Sequence, residues 1–123
     1  MEGFRLEKIR CYNSSHEISN KIWLIVNEWN FFNKKTVGVQ FVRSIDSVSA
    51  NLTEGFYRDT KKDKIRFYRI AIASCYESLE WYKKAKSRGL IQAKFINELD
   101  EEIIRLPLEI NYLISLANRK LKY

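Results

Sequence analysis

Six cations fall within twelve residues: Arg58, Lys61, Lys62, Lys64, Arg66 and Arg69, opposed only by Asp59 and Asp63. Tyr57 and Tyr68 are interleaved with them. Cations neutralise phosphates and aromatic rings stack on unpaired bases, the combination that single-stranded nucleic acid binding uses. A second basic group, Lys83, Lys84, Lys86, Arg88 and Lys94, has no acid among it, whereas Glu98 to Glu102 carries four acids and no base. The net charge of +7 and pI near 9.5 agree with an anionic partner. The competing reading is a solvated face whose lysines lie over apolar surface and keep the protein soluble. The charge signal points to nucleic acid without separating RNA from DNA.

Other chemistry has less behind it. Asp100, Glu101 and Glu102 are consecutive, so they diverge around a helix rather than converge. Glu98 and Glu102 share a face, as do Glu77 and Glu80, but no Glu-x-x-His motif accompanies either pair. No phosphate-binding glycine loop, HExxH or GxSxG occurs. No serine of the Ser/Ala run from Ser44 to Ser49 has a nearby histidine, since the single histidine, His16, lies in the N-terminal segment. The expectation is a non-enzymatic protein with no metal and no cofactor. Cys11 and Cys75 lack CxxC spacing, and Cys75 lies among apolar residues, so a buried free thiol is expected there. The opening MEGFRLEKIR has no apolar core of a signal peptide, and the longest apolar run, Ile22 to Val26, is too short to span a bilayer. A cytoplasmic location is expected by default, with no membrane partner.

The elements that must position these residues are helical. Four Gly and one Pro in 123 residues are too few for a turn-rich β protein, and 14% aromatic content argues against disorder. Ile18, Ile22, Ile25, Trp29 and Phe32 form the first stripe, after an N-terminal extension of about residues 1–16. Asn33 to Lys35 read as a turn, and Thr36 as the N-cap of a second helix with the stripe Val37, Phe41, Ile45, Val48 and Leu52. Gly55 is placed as its left-handed end. Thr60, with Asp63 three residues on, caps a third helix whose stripe is Ile65, Ile72 and Leu79, supplemented by Tyr68, Cys75, Tyr76 and Tyr82, and which Gly89 stops. The fourth stripe is Ile96, Leu99, Ile103, Leu106, Ile110, Leu113 and Ala117, with Pro107 expected to kink or break it. Short loops make neighbours antiparallel, so the predicted fold is all-α, an up-down-up-down four-helix bundle in one domain over 1–123. Trp23, Phe31, Trp81, Tyr82, Tyr112 and Ile114 lie outside the minimal stripes, an apolar surplus of the kind that marks an interface.

Between the second and third helices, small residues take the places of bulky ones. A hairpin centred near residue 59 would set Ser44 against Ser74 and Ser47 against Ala71, letting the helix axes approach closely. It would also pair Arg43 with Glu77. Asn51 and Glu54 would project toward Lys64 and Phe67, with Glu54 paired to Arg66, Arg69 or a free N–H at the start of the third helix.

This stretch also resembles a family signature: Arg43 and Ser44, the Ser/Ala run ending Asn51-x-x-Glu54-Gly55, a basic turn, then Phe67, Ala71, Ser74 and Glu77. It is similar to the proteins encoded within intervening sequences of bacterial 23S rRNA genes, and the resemblance runs from about Ile22 to the end. It implies a four-helix bundle assembled as a homopentamer, and an accessory role in which RNA is bound. A protein–protein adaptor without direct nucleic-acid contact is the alternative.

Overall fold

The computed structural model describes residues 5–123. The first four residues of the expected N-terminal extension lie outside it. A 3-10 turn, Leu6–Lys8, leads into α1 (Arg10–Asn27). A short α2 (Phe31–Asn33) passes through a π-helical turn, Lys34–Gly38, into α3 (Val39–Phe56). Then come α4 (Lys61–Ser87) and α5 (Ala93–Lys120). α1 packs on α3 and α5, and α4 packs on the same two helices, with α3–α4 the most extensive interface. The up-down-up-down four-helix bundle is therefore the architecture.

α1 starts well before its expected stripe. Leu6, Ile9, Cys11 and Ser15 are all buried, so residues 10–16 form the opening turns of the helix rather than an extension ahead of it. At the other end α1 stops at Asn27, and Phe32, expected on its stripe, is exposed. Trp29 instead ties the corner down, its indole N–H donating to the Leu90 carbonyl at 2.9 Å.

The second helix begins at Asn30 rather than Thr36. The Asn30 side chain accepts from the Asn33 N–H at 2.9 Å, an N-cap bond. Thr36 sits inside the π turn and returns its hydroxyl to the Phe32 carbonyl at 2.7 Å. Lys34 and Lys35 resemble a turn by polarity, yet both are good helix formers. At Gly38, an added Cβ would lie 2.8 Å from Val26 Cγ1, so the absent side chain lets this helix meet α1.

Gly55 is likewise a packing residue, not a left-handed stop. Among the described residues the only positive-φ glycine is Gly89, at +72°, which ends α4 as expected. Gly55 is buried within α3, and a Cβ there would lie 2.7 Å from Tyr68 Cε1 and 3.0 Å from the Lys64 carbonyl oxygen. Thr60 caps α4 by accepting from the Asp63 N–H at 3.1 Å.

The interior line of α4 is Tyr68, Ala71, Cys75, Ser78, Tyr82 and Ala85. Ile65, Ile72 and Leu79, expected to form the seam, flank it half-buried, and Tyr76 is exposed. The stripe of α5 from Leu99 to Ala117 is buried as predicted, joined by Ile114. α5 runs unbroken through Pro107, although the proline has no N–H to return to the preceding turn. Both cysteines are free and buried, and burial raises each thiol to about 12.

Candidate nucleic-acid interface

The tight α3–α4 interface sets how α4 presents its other side. Its serines meet one turn away from the expected register. The Ser47 hydroxyl donates to Ser74 Oγ at 2.6 Å, and the Ser78 hydroxyl to Ser44 Oγ at 3.1 Å. Ser44 therefore faces Ser78, not Ser74, and Ser47 faces Ser74, not Ala71. The expected Arg43–Glu77 ion pair does not form. Among the described residues Arg43 makes no ion pair within 4.0 Å, and Glu77 instead accepts from the Trp81 indole at 3.4 Å. No side-chain polar atom fully shielded from solvent in the described residues lacks a partner, so this hydroxyl-rich seam is internally satisfied.

Asn51 and Glu54 do not reach across to α4. The Asn51 amide donates back to the Ser47 carbonyl at 2.8 Å. Glu54 pairs with Arg58 at 2.6 Å, one helical turn on, rather than with Arg66 or Arg69. The Arg58 and Arg66 guanidiniums each lie 4.5 Å from the Phe67 ring centroid, and Arg66 also approaches Asp63 at 3.6 Å. This knot of charge and ring stiffens the α3–α4 corner.

The predicted cations divide into groups. Lys62, Arg66, Arg69, Lys83 and Lys84 fall on one outer face of α4, at helical spacings of four, three, fourteen and one. From Lys62 to Lys83 this face runs for roughly 32 Å at ~1.5 Å per residue. Glu80 interrupts it and pairs with Lys84 at 3.2 Å. Arg88, just past the helix, is exposed. Two of the predicted cations turn elsewhere. Lys64 Nζ donates to the Phe56 carbonyl at 2.5 Å, closing the end of α3, and burial lowers its pKa. Lys86 binds Asp100 at 3.0 Å, and the Tyr82 hydroxyl donates to the same carboxylate oxygen at 2.7 Å. Those two bonds hold the Asp100 carboxyl below its ordinary pKa.

Tyr68, one of the two interleaved aromatics, is only 3% exposed and cannot stack on a base. Tyr57 can, as can Tyr76. Sequence spacing missed the contribution of the C-terminus. The Lys61 N–H donates to the Tyr123 carbonyl at 2.6 Å, bringing Arg119, Lys120, Lys122 and the exposed Tyr123 to the start of α4. The up-down topology could have placed them there, since α5 must end where α4 begins. Among the described residues, Lys61, Lys62, Arg69, Arg119, Lys120 and Lys122 make no ion pair within 4.0 Å.

No group of three His, Cys, Asp or Glu side chains converges as a metal site among the described residues, and none of their helices is long and apolar enough to cross a membrane. Of the surplus apolar residues, Tyr82 and Ile114 are buried and Trp81 is half-buried, whereas Trp23, Phe31 and Tyr112 are exposed.

The fold and its hydroxyl-zipped central hairpin define a basic antiparallel four-helix bundle protein. Within that class, residues 7–112 match the 23S rRNA-intervening sequence protein family, and the chain belongs to it. A search of the curated proteins returned no match.

Proposed function

We propose that this protein is a non-enzymatic, oligomeric RNA-binding accessory factor, with the outer face of α4 and the adjoining C-terminus as its RNA-contacting surface. The observation that carries the reading is the concentration of cations without acidic partners at the start of α4, beside exposed Tyr57 and Tyr123. Unpaired cations are free to displace counterions from phosphates, and the two rings supply stacking surfaces for unpaired bases. Family membership supports an RNA-linked role. Self-association into a homopentamer follows from the family resemblance and finds support in Ile104, Leu108 and Tyr112, an exposed apolar line on α5. A ring would repeat the basic face and raise its avidity.

The test is fluorescence anisotropy of a short labelled single-stranded RNA across a salt series. Affinity should fall by roughly 0.7 log units per decade of salt for each phosphate neutralised on a single strand. The double variant Lys62→Glu/Arg69→Glu should weaken binding and flatten that slope, while Lys94→Glu should change little. Absence of binding at low salt, or a slope near zero, would sink the proposal. Sedimentation of the same samples tests assembly separately.

A protein–protein adaptor is the second reading. Trp23, Leu24, Phe31 and Phe32, all more than half exposed, gather around the α1–α2 corner. Under that reading, substitution at Trp23 or Phe32 abolishes partner capture and the α4 charge reversals leave it intact.

A further inference from the structure

A cavity of about 750 Å³ opens at the end of the bundle where α4 begins, within the ~300–1,000 Å³ range of small-molecule sites. Its walls come from the segment before α1, the end of α3, the first turns of α4 and the last turns of α5. Leu6, Leu113, Leu116 and Leu121 make much of its lining apolar. Around them stand three cations, Arg5, Lys64 and Lys120, against one acid, Glu7.

Tyr68 supplies an independent observation. It lines the same cavity at 3% exposure, and no hydrogen bond engages its hydroxyl among the described residues. No polar atom fully closed off from solvent lacks a partner among the described residues, so this unbonded hydroxyl keeps access to open space, where a ligand can reach it. Burial pushes the phenol up to about 12, so it keeps its proton and remains a donor at neutral pH. Lys64, whose amine already reaches the Phe56 carbonyl, has further N–H groups to offer.

From this arrangement we propose that the cavity is a binding site for a long-chain carboxylate, its hydrocarbon among the leucines and its headgroup held by Arg5, Lys120 and the Tyr68 hydroxyl. An apolar lining alone would not select a headgroup. The three-to-one excess of cations and an unmet donor together favour an anion that accepts hydrogen bonds. The cavity borders the proposed RNA-contacting surface and shares Tyr57 and Lys120 with it, but its body is largely hydrocarbon-lined.

The test is calorimetric titration of the full-length protein with dodecanoate below its micelle concentration. Dodecanoate should bind once per chain, and dodecyltrimethylammonium, which has the same tail and opposite charge, at least tenfold more weakly. Each buried methylene is worth about fourfold in affinity, so decanoate should bind on the order of tenfold more weakly than dodecanoate. Lys120→Glu should weaken dodecanoate binding, and Tyr68→Phe should weaken it about fivefold through loss of one hydrogen bond. Leu116→Trp, which fills the cavity, should abolish it. Circular dichroism of each variant establishes that the helices are intact. No binding of dodecanoate would overturn the proposal. So would equal binding of the cationic detergent, or unchanged binding by a folded Leu116→Trp variant.

Discussion

Replacing Gly55 with alanine sets two opposed effects against each other at one atom. In an exposed helix interior, Gly→Ala is worth up to about 1 kcal/mol of stability. Here the new methyl would sit 2.7 Å from Tyr68 Cε1, 2.9 Å from Tyr68 Cδ1 and 3.0 Å from the Lys64 carbonyl. Two of those atoms belong to a ring that is 97% buried, and the third is backbone, so none can swing aside. Relief requires α3 and α4 to separate by several tenths of an ångström, and overpacking of this kind costs about 1–3 kcal/mol. The clash should win, leaving Gly55→Ala destabilised by about 1–2 kcal/mol, with a melting temperature lower by about 3–8 °C for a chain of this length. Chemical denaturation gives the free energy, and thermal melting should be followed at one fixed protein concentration because self-association shifts the midpoint. Tyr68→Leu should cost less in the Gly55→Ala background than in the parent, since it removes the atoms in conflict. An alanine variant as stable as the parent, or more stable, would refute the close-packing argument. Gly89→Ala provides the contrast: nothing lies within 4 Å of its added Cβ, so its cost is the left-handed backbone alone, about 1–2 kcal/mol.

Ser47→Ala and Ser74→Ala should each cost about 1 kcal/mol in denaturation, and the double variant less than their sum, because one hydroxyl contact joins them. The depressed Asp100 carboxyl has a defined pH signature: its contribution to stability is present above the ordinary carboxylate pKa of ~3.9 and is lost as pH falls through the lower folded value. Asp100→Asn should remove that component of the acid transition in pH-dependent melting; an unchanged acid limb would argue against it. Both thiols, held protonated by burial, should resist a thiol-specific reagent at pH 8 in the native protein and react promptly in denaturant. Fast native-state labelling of either would contradict their placement in the core.

The helices were legible because apolar spacing reports burial, and the α5 stripe from Leu99 to Ala117 shows it at its clearest. What the pattern concealed was polar or small. Ser78 and Ala85 line the interior of α4, while Ile72 and Leu79 are pushed to its flanks. A close interface rewards small volume over hydrophobicity, so a stripe drawn from the largest residues lands beside the true seam. The corner at Phe31 to Gly38 misled for a related reason: Asn30 supplies the cap, and polar lysines are compatible with continued helix. The basic segment was visible as composition. Its division into free outer-face cations, Lys64 closing the end of α3 and Lys86 paired with Asp100 needed the helix phase and the contacts made across the bundle.

The hydroxyl-zipped hairpin also bears on the order in which the chain assembles. Its defining contact spans 27 residues, from Ser47 to Ser74, whereas the ion pair joining α1 to α5 spans 81, from Lys21 to Glu102. Closing the longer loop first would cost about 1 kcal/mol more in chain entropy. The central pair thus closes more cheaply than the α1–α5 pair, and on an emerging polypeptide α3 and α4 are both available before α5 exists. α1 must wait for α5 to complete its surroundings, so its first-made apolar face is the one left exposed longest during synthesis.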